Sequence, residues 1–351
     1  MMSISTEKIY IAANNGDIGG GEVMLFAIAE AARSLGREIV VVAPSDPSPV
    51  LLEANDRGFE TVEIQSNSRF KYLVGLRKWR KSTGNRSLLW CNGLLPATAT
   101  GGMSHRIVHL HQIPAGKLKI ALLFAWLSAS VVLVPSTHMK NEIPGTELFP
   151  NWSGEVSIVK EIAESSKPAI RVGFIGRFSS DKGLPILIDA MNIASARSRI
   201  PLRLVLAGGP KFVGTDEQKR ISELIEQARV PVDLLGWVEP EQFFSKIDLV
   251  VVPSVWAEPF GLVATESMAA RVPLVVSDAG ALPEIVGDEY PWISKAGNSE
   301  SLLEAIVRFT KTTNSEKGLV VQSAFKRWES LYSPAAGRVS VEKILQRFER
   351  V

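Results

Sequence analysis

The chain has 351 residues, 46% of them hydrophobic and 22% charged, with a formal net charge of +2. That length suits two domains of ordinary size, and the small net charge provides no overall field for holding nucleic acid. One cysteine, Cys91, excludes an intrachain disulfide and a cysteine-built zinc site, and four histidines without ligand spacing argue against a protein-held metal.

The N-terminal MMSISTEKIYIAANN lacks the apolar core of a signal peptide. The most apolar stretch, Ile120–Val134, is shorter than the roughly 20 residues of a membrane span. It reads as a helix followed by a strand, and the chain is expected to be cytoplasmic. Before it, Lys8–Ala13 reads as a strand, Asn14–Gly21 as a glycine-rich loop, Glu22–Leu35 as a helix stopped by Gly36, and Glu38–Ala43 as a strand. This is a βαβ unit whose glycines let backbone N–H groups approach a phosphate at a helix N-terminus. The glycine spacing does not fit G-x-G-x-x-G, so a nicotinamide cofactor is not expected.

Residues 64–141 contain no Asp or Glu but eleven Lys or Arg. Arg69, Lys71, Arg77, Lys78, Arg80, Lys81 and Arg86 are interleaved with Phe70, Tyr72, Leu73, Leu76 and Trp79. Two readings stand: residues 69–86 meet an anionic membrane surface on the inner face, or they form the solvated basic face of a soluble helix. Arg106–His111 reads as a strand with His109 and His111 on one face, and Val131–Pro135 as another strand.

In the second half, strand Ile170–Ile175 leads into Gly176–Gly183 and a helix from about Leu184. Arg177 and Lys182 on that loop suit a diphosphate, Arg through two oxygens at once and Lys as a point charge. Leu202–Ala207 ends at Gly208-Gly209, which is either a tight turn or a close approach to a nucleotide. Val232–Leu235 leads to Gly236-Trp237-Val238, and Pro240–Lys246 is a short helix. Leu249–Val252 reads as a buried parallel strand, followed by Glu258-Pro259-Phe260-Gly261 and a helix from Leu262 that carries Glu266. Ligands of open α/β sheets bind outside the carboxyl ends of the strands, where Glu258 falls. A helix N-terminus just after Gly261 suits a diphosphate, and Glu266 suits the vicinal hydroxyls of a ribose. Helical pattern resumes after Ser299, breaks at Ser333-Pro334 and continues over Ala335–Glu349.

The segment E-x-F-G-L-x-x-x-E, from Glu258 through Phe260, Gly261 and Leu262 to Glu266, resembles the signature of retaining glycosyltransferases of family 4. Gly176-Arg177…Lys182-Gly183 is similar to a second motif of that family, and Gly280-Ala281-Leu282-Pro283-Glu284 to a third, with Ala281 in place of a glycine. The resemblance implies an α/β GT-B fold: two Rossmann-like domains with parallel sheets facing across a cleft, and a C-terminal helix crossing back. Residues 1–165 are then the acceptor domain, 166–332 the nucleotide-sugar domain, and 333–351 the returning helix. Lys160-Glu161 stands where the family has Asn-Gly, after the strand corresponding to Val156–Val159, and puts the hinge geometry in question.

By the same resemblance, Gly19, Gly20 and Glu22 match a loop that closes over the donor's phosphates. His111, with His109 as the alternative, contacts the donor sugar, and Arg177 with Lys182 neutralises the leaving diphosphate. The backbone near Gly209 and Val238 meets the nucleotide, as does the Phe260–Leu262 turn, while Glu266 holds the ribose. Glu258 orients the transferred sugar. The reaction implied is metal-independent transfer from a UDP- or GDP-sugar, with no separate cofactor, to a glycan or lipid-linked acceptor. A nucleotide-sugar epimerase of this fold and a catalytically silent nucleotide-sugar-binding scaffold are the alternatives.

Overall fold

A computed structural model describes residues 8–84, 87–158, 169–197, 201–211 and 213–348. The chain divides into two compact units, residues 1–152 with 334–351 and residues 153–333. The division falls at Trp152/Ser153, upstream of the 165/166 boundary read from the sequence. That boundary, Lys160-Glu161 and Arg86 all lie outside the described residues. Val156–Ile158 form no strand; Val156 and Ile158 instead pack against the core of the second unit.

The first unit runs β1 (Ile9–Ala13), α1 (Gly20–Ser34), β2 (Ile39–Pro44), α2 (Pro49–Asp56), β3 (Glu60–Ile64), α3 (Arg69–Ser82), β4 (Leu89–Asn92) and α4 (Leu94–Ala99). It continues through β5 (Arg106–His109), α5 (Leu118–Trp126), β6 (Val131–Val134), α6 (Thr137–Glu142) and β7 (Glu147–Leu148). Its seven strands lie in the order β3-β2-β1-β4-β5-β6-β7, and every pairing is parallel. Runs such as Ile39–Pro44 and Val131–Val134 are buried at every position, as a sheet covered on both faces requires. Right-handed crossovers put α1 and α2 on one face and α3 to α6 on the other. Tyr72, Leu76, Ala97, Ala125 and Met139 share one core on that second face. His111 lies past the end of β5 rather than within it.

The second unit runs β8 (Ile170–Arg177), α7 (Leu184–Arg197), β9 (Leu202–Gly209), α8 (Thr215–Glu226), β10 (Val232–Gly236), α9 (Pro240–Ser245), β11 (Leu249–Val252) and α10 (Leu262–Ala269). Then come β12 (Leu274–Ser277), α11 (Leu282–Val286), β13 (Ile293–Ser294), α12 (Ser299–Lys311) and α13 (Asn314–Leu331). The parallel sheet has the order β10-β9-β8-β11-β12-β13. Alternate residues feed opposite cores: Leu204 and Leu206 one, Val205 and Ala207 the other. The last helix, α14 (Pro334–Leu345), packs on α1 in the first unit, where Val341 and Ile344 are buried.

Two of the eleven basic residues between 64 and 141 are internal, one of them, Arg80, from the stretch read as a basic face. Arg80 is fully buried and donates to the carbonyls of Ser87, Ser104 and His105. Arg106, also fully buried, donates to the carbonyls of Met103, Ala97, Ala125 and Leu127 and to the Thr100 hydroxyl. It therefore ties the C-terminal ends of α4 and α5 to β5. Tyr72 and Leu76 are core residues, not surface anchors. Arg106→Leu should lower stability by about 3 kcal/mol or more, because it strands several buried carbonyls. Urea unfolding measures this, and an unchanged midpoint would contradict the role given to Arg106.

Candidate functional site

Each sheet has one point at which successive connections leave in opposite directions, between β1 and β4 in the first unit and between β8 and β11 in the second. Loops diverge there and leave a crevice at the carboxyl ends of the strands. Of the residues singled out in the sequence, Gly19 and Gly20 follow β1, and Arg177, Lys182 and Glu258 end or follow β8 and β11, whereas Gly209 ends β9, Val238 follows β10 and Glu266 lies on α10.

In the second unit the loops after β8 and β11 are knitted together. The Asp181 carbonyl accepts from Val255 N–H at 2.9 Å and from Trp256 N–H at 3.4 Å. Gly183 has φ +74°, and a Cβ there would lie 1.8 Å from the Pro253 carbonyl oxygen, so only glycine permits this approach. Lys182 consequently reaches Glu258, with Nζ at 3.0 Å from Oε1 and 2.8 Å from Oε2. Ser254 Oγ and Trp256 Nε1 also donate to Oε2, at 3.0 and 3.1 Å. Glu258 is buried. A buried carboxylate is tolerable only when its lone pairs are matched by donors. Here Oε2 accepts three hydrogen bonds and Oε1 one, so Oε1 keeps acceptor capacity for an incoming hydroxyl.

Behind Glu258 lies the turn after β12. Ala281 N–H donates to the Glu258 carbonyl at 2.9 Å, and a Cβ on Gly280 would lie 2.3 Å from Glu258 N. The positive φ falls on Gly280, at +59°. Ala281 has φ −83° and ψ −6°, so an alanine in place of glycine costs no backbone freedom here.

Arg177, the last residue of β8, pairs through Nη2 with Asp181 Oδ2 at 2.8 Å. Both cations expected to face a diphosphate are thus balanced by carboxylates, and an incoming anion must compete with Asp181 for Arg177. Gly261 is the N-cap of α10 with φ 111° and supplies no side-chain cap, which leaves the first N–H groups of α10 for a ligand. Within the Phe260–Leu262 turn the Phe260 side chain is buried in the core, edge-on to Tyr332 at 5.5 Å, so Phe260 offers only its backbone. Leu262 and Val238 are half-buried, with Trp237 exposed beside Gly209.

Glu266 is half-buried on α10. Burial, with the Glu241 charge as a smaller cause, raises its carboxyl to about 7. The ribose expected at Glu266 would donate its hydroxyls to the ionised form, and on that expectation nucleotide binding releases a proton and strengthens as pH rises through about 7. Calorimetric titrations in buffers of different ionisation enthalpy read this linkage, and Glu266→Gln should flatten the pH dependence. A pH slope that survives Glu266→Gln would remove Glu266 from the site.

In the first unit, Glu22 folds back on its own loop. Its Oε2 accepts from Gly19 N–H at 3.3 Å and its Oε1 from Asn15 Nδ2 at 3.4 Å. Burial raises its carboxyl to about 7 against the lowering effect of nearby backbone N–H groups. Gly20 is the first residue of α1. His109 is fully buried, with neither ring nitrogen paired among the described residues, and burial beside His111 holds it neutral.

His111 is half-buried against Gly21, where a Cβ would lie 3.3 Å from its Cδ2. Asn92, which the sequence reading missed, sets its chemistry. Asn92 Nδ2 donates to the Gly21 carbonyl at 2.8 Å, so its Oδ1 faces His111 Nε2 at 2.9 Å. An amide oxygen only accepts, so Nε2 carries the proton. Burial lowers the His111 pKa to about 4, and Nδ1, unpaired among the described residues, is left as an acceptor. Nitrogen NMR of His111 should show the Nε2–H tautomer unchanged between about pH 5 and 8, and Asn92→Ala should mix the tautomers. A titration near the ordinary 6.5 would contradict the assignment.

Among the described residues, no group of three or more His, Cys, Asp or Glu is placed to hold a metal ion. Residues 158–321 match the sequence model of glycosyl transferases group 1. An uncharacterized glycosyltransferase of Methanocaldococcus jannaschii is 34% identical over 144 residues, covering 40% of this chain and 35% of that protein. A lipopolysaccharide 1,2-N-acetylglucosaminetransferase of Salmonella typhimurium is 30% identical over 186 residues, covering 50% of this chain and 46% of that protein. The chain thus spans less than half the length of these two relatives. Among solved structures, Anabaena HepE in complex with UDP and glucose has a TM-score of 0.82 at 20% identity, covering 98% of this chain and all of that one. A glycosyltransferase of Rickettsia africae has a TM-score of 0.79 at 13% identity, with 99% of each chain covered. At these identities the likeness carries the fold, which is α/β of the GT-B class.

Proposed function

We propose that this chain is a retaining glycosyltransferase that moves a sugar from a nucleotide-sugar donor to the hydroxyl of a glycan or lipid-linked acceptor. The observation that carries this reading is the buried Glu258, held by Lys182, Ser254 and Trp256 at the β8/β11 switch point. It lies within the segment that matches glycosyl transferases group 1.

In this reading the second unit holds the donor. Arg177 and Lys182, with the free N–H groups of α10, take the diphosphate and stabilise the negative charge that develops as it leaves. This places no demand on a metal ion. Gly209 and Val238 offer backbone groups to the base, and Glu266 accepts from the ribose. Glu258 Oε1 accepts from a sugar hydroxyl and places a negative charge where the anomeric carbon becomes positive. The first unit serves the acceptor, while His111 Nδ1 accepts from a hydroxyl of the donor sugar. Retention follows from departure and attack on one face, the leaving phosphate taking the acceptor proton. A uridine donor is the first to test, because the Anabaena neighbour was solved with UDP and glucose.

Glu258→Gln should lower the turnover number by about 10²-fold or more while leaving nucleotide affinity within a few-fold. The assay is NMR of the product anomeric proton with UDP-glucose and a panel of sugar and lipid-linked acceptors. Retained transfer in Glu258→Gln would contradict the role of Glu258. A sugar that changes configuration while still on the nucleotide would point to an epimerase, and no turnover with any donor would point to a binding scaffold.

A further inference from the structure

Helix α5 (Leu118–Trp126) is apolar on both faces yet lies at the surface of the first unit. Its inner face seats Ala125 in the core, with Leu122 and Trp126 packed against it. Its outer face carries Ile120, Leu123, Phe124 and, just past its end, Leu127, which are 60%, 69%, 53% and 53% exposed. Their spacing of i, i+3, i+4 and i+7 makes one continuous stripe. A helix that is apolar all round is ordinarily buried, so this outer stripe points to an external apolar medium.

The charges around the stripe say which medium. Lys117 and Lys119 stand at the N-terminal end of α5, where cations oppose the helix dipole, and the first turn has no acid. They therefore do nothing for the helix itself. Helix α4 packs against both α3 and α5 in the layer on this face of the sheet. The α3 side of that layer exposes Lys71, Lys78 and Lys81 together with Phe70. No Asp or Glu occurs from residue 64 to 141, so nothing within this segment neutralises them. A second copy docking by two-fold symmetry would present the same lysine-bearing segment, with no carboxylate from it to answer Lys117 and Lys119. Anionic headgroups over acyl chains answer both the lysines and the stripe. No described helix is long and apolar enough to cross a membrane, which leaves association in the plane of the interface.

We infer that α5 is the membrane-inserting element of this protein: its outer stripe enters the acyl boundary of an anionic bilayer, and the lysines of α5 and α3 lie at the headgroups. The stripe is held ready, because buried Arg106 fixes the C-terminal carbonyls of α5. This relocates the membrane contact expected of residues 69–86, since Tyr72 and Leu76 point into the core and Arg80 is internal. The inference does not depend on the transfer reading, because vesicle binding requires neither donor nor acceptor.

The experiment is co-sedimentation of the full chain with phosphatidylcholine vesicles, alone and with about one-third phosphatidylglycerol. The protein should bind the mixed vesicles and bind the neutral ones more weakly. Leu123→Ser with Phe124→Ser should lower the partition coefficient about tenfold or more with the melting temperature preserved, because both side chains are exposed. Lys117→Glu with Lys119→Glu should weaken the preference for anionic lipid, and adding Lys71→Glu, Lys78→Glu and Lys81→Glu should abolish it. No binding to mixed vesicles, or equal binding of the Leu123/Phe124 variant, would overturn the inference. So would a dimer in light scattering that the same variant splits, which would assign the stripe to a second copy.

Discussion

The contact between Lys182 and Glu258 is the constraint on which the second unit depends. A carboxylate this deeply buried is stable only with a cation and further donors around it. Meeting that need brings together two loops that diverge from opposite sides of a switch point. Gly183 must approach the Pro253 carbonyl, Gly280 must make room for the Glu258 backbone, and Ser254 and Trp256 must turn inward. The result is a carboxylate in one orientation, with Oε1 the less occupied oxygen. Such a group is preorganised: it need not reorient when charge develops beside it.

The same logic operates with neutral groups in the first unit. The crevice between β1 and β4 holds Asn92, whose two amide ends are committed to Gly21 and His111. One amide orientation settles one imidazole tautomer, and burial keeps the ring uncharged. Glu22 and Asn15 stiffen the preceding loop through its own N–H and carboxylate groups. In both units parallel strands aim their carboxyl ends at one place, and polar side chains that begin or follow those ends are fixed by short-range partners.

Much of this was legible in the sequence because parallel α/β sheets write themselves plainly. Apolar runs such as Leu249–Val252, bounded by Pro253 and a helix pattern, marked strands, and the polar residues after them marked the crevice. Arg177 and Glu258 were visible because charged residues are rare at and just past strand ends, and Lys182 and Glu266 by their spacing from these two. What was hidden depends on direction rather than identity. Arg80 read as surface charge because composition does not reveal that backbone carbonyls await it inside. The Phe260–Leu262 turn read as a ligand contact, without a sign that the Phe260 side chain belongs to the core. Ser254 and Trp256 alternate with Glu258 along an extended loop, and that period of two was the available signal for them. Asn92, a polar residue closing an apolar strand before a glycine, was the corresponding signal in the first unit.

The central claim is that the β8/β11 switch point takes a nucleoside diphosphate. Thermal unfolding with UDP, GDP, ADP, CMP and TDP tests it most directly. Specific binding stabilises a fold by about 2.7 kcal/mol at one hundred times the dissociation constant. The account predicts that one nucleoside diphosphate raises the melting temperature of the native chain and fails to do so for Arg177→Ala. A shift that persists in Arg177→Ala, or no shift with any nucleotide, would contradict it.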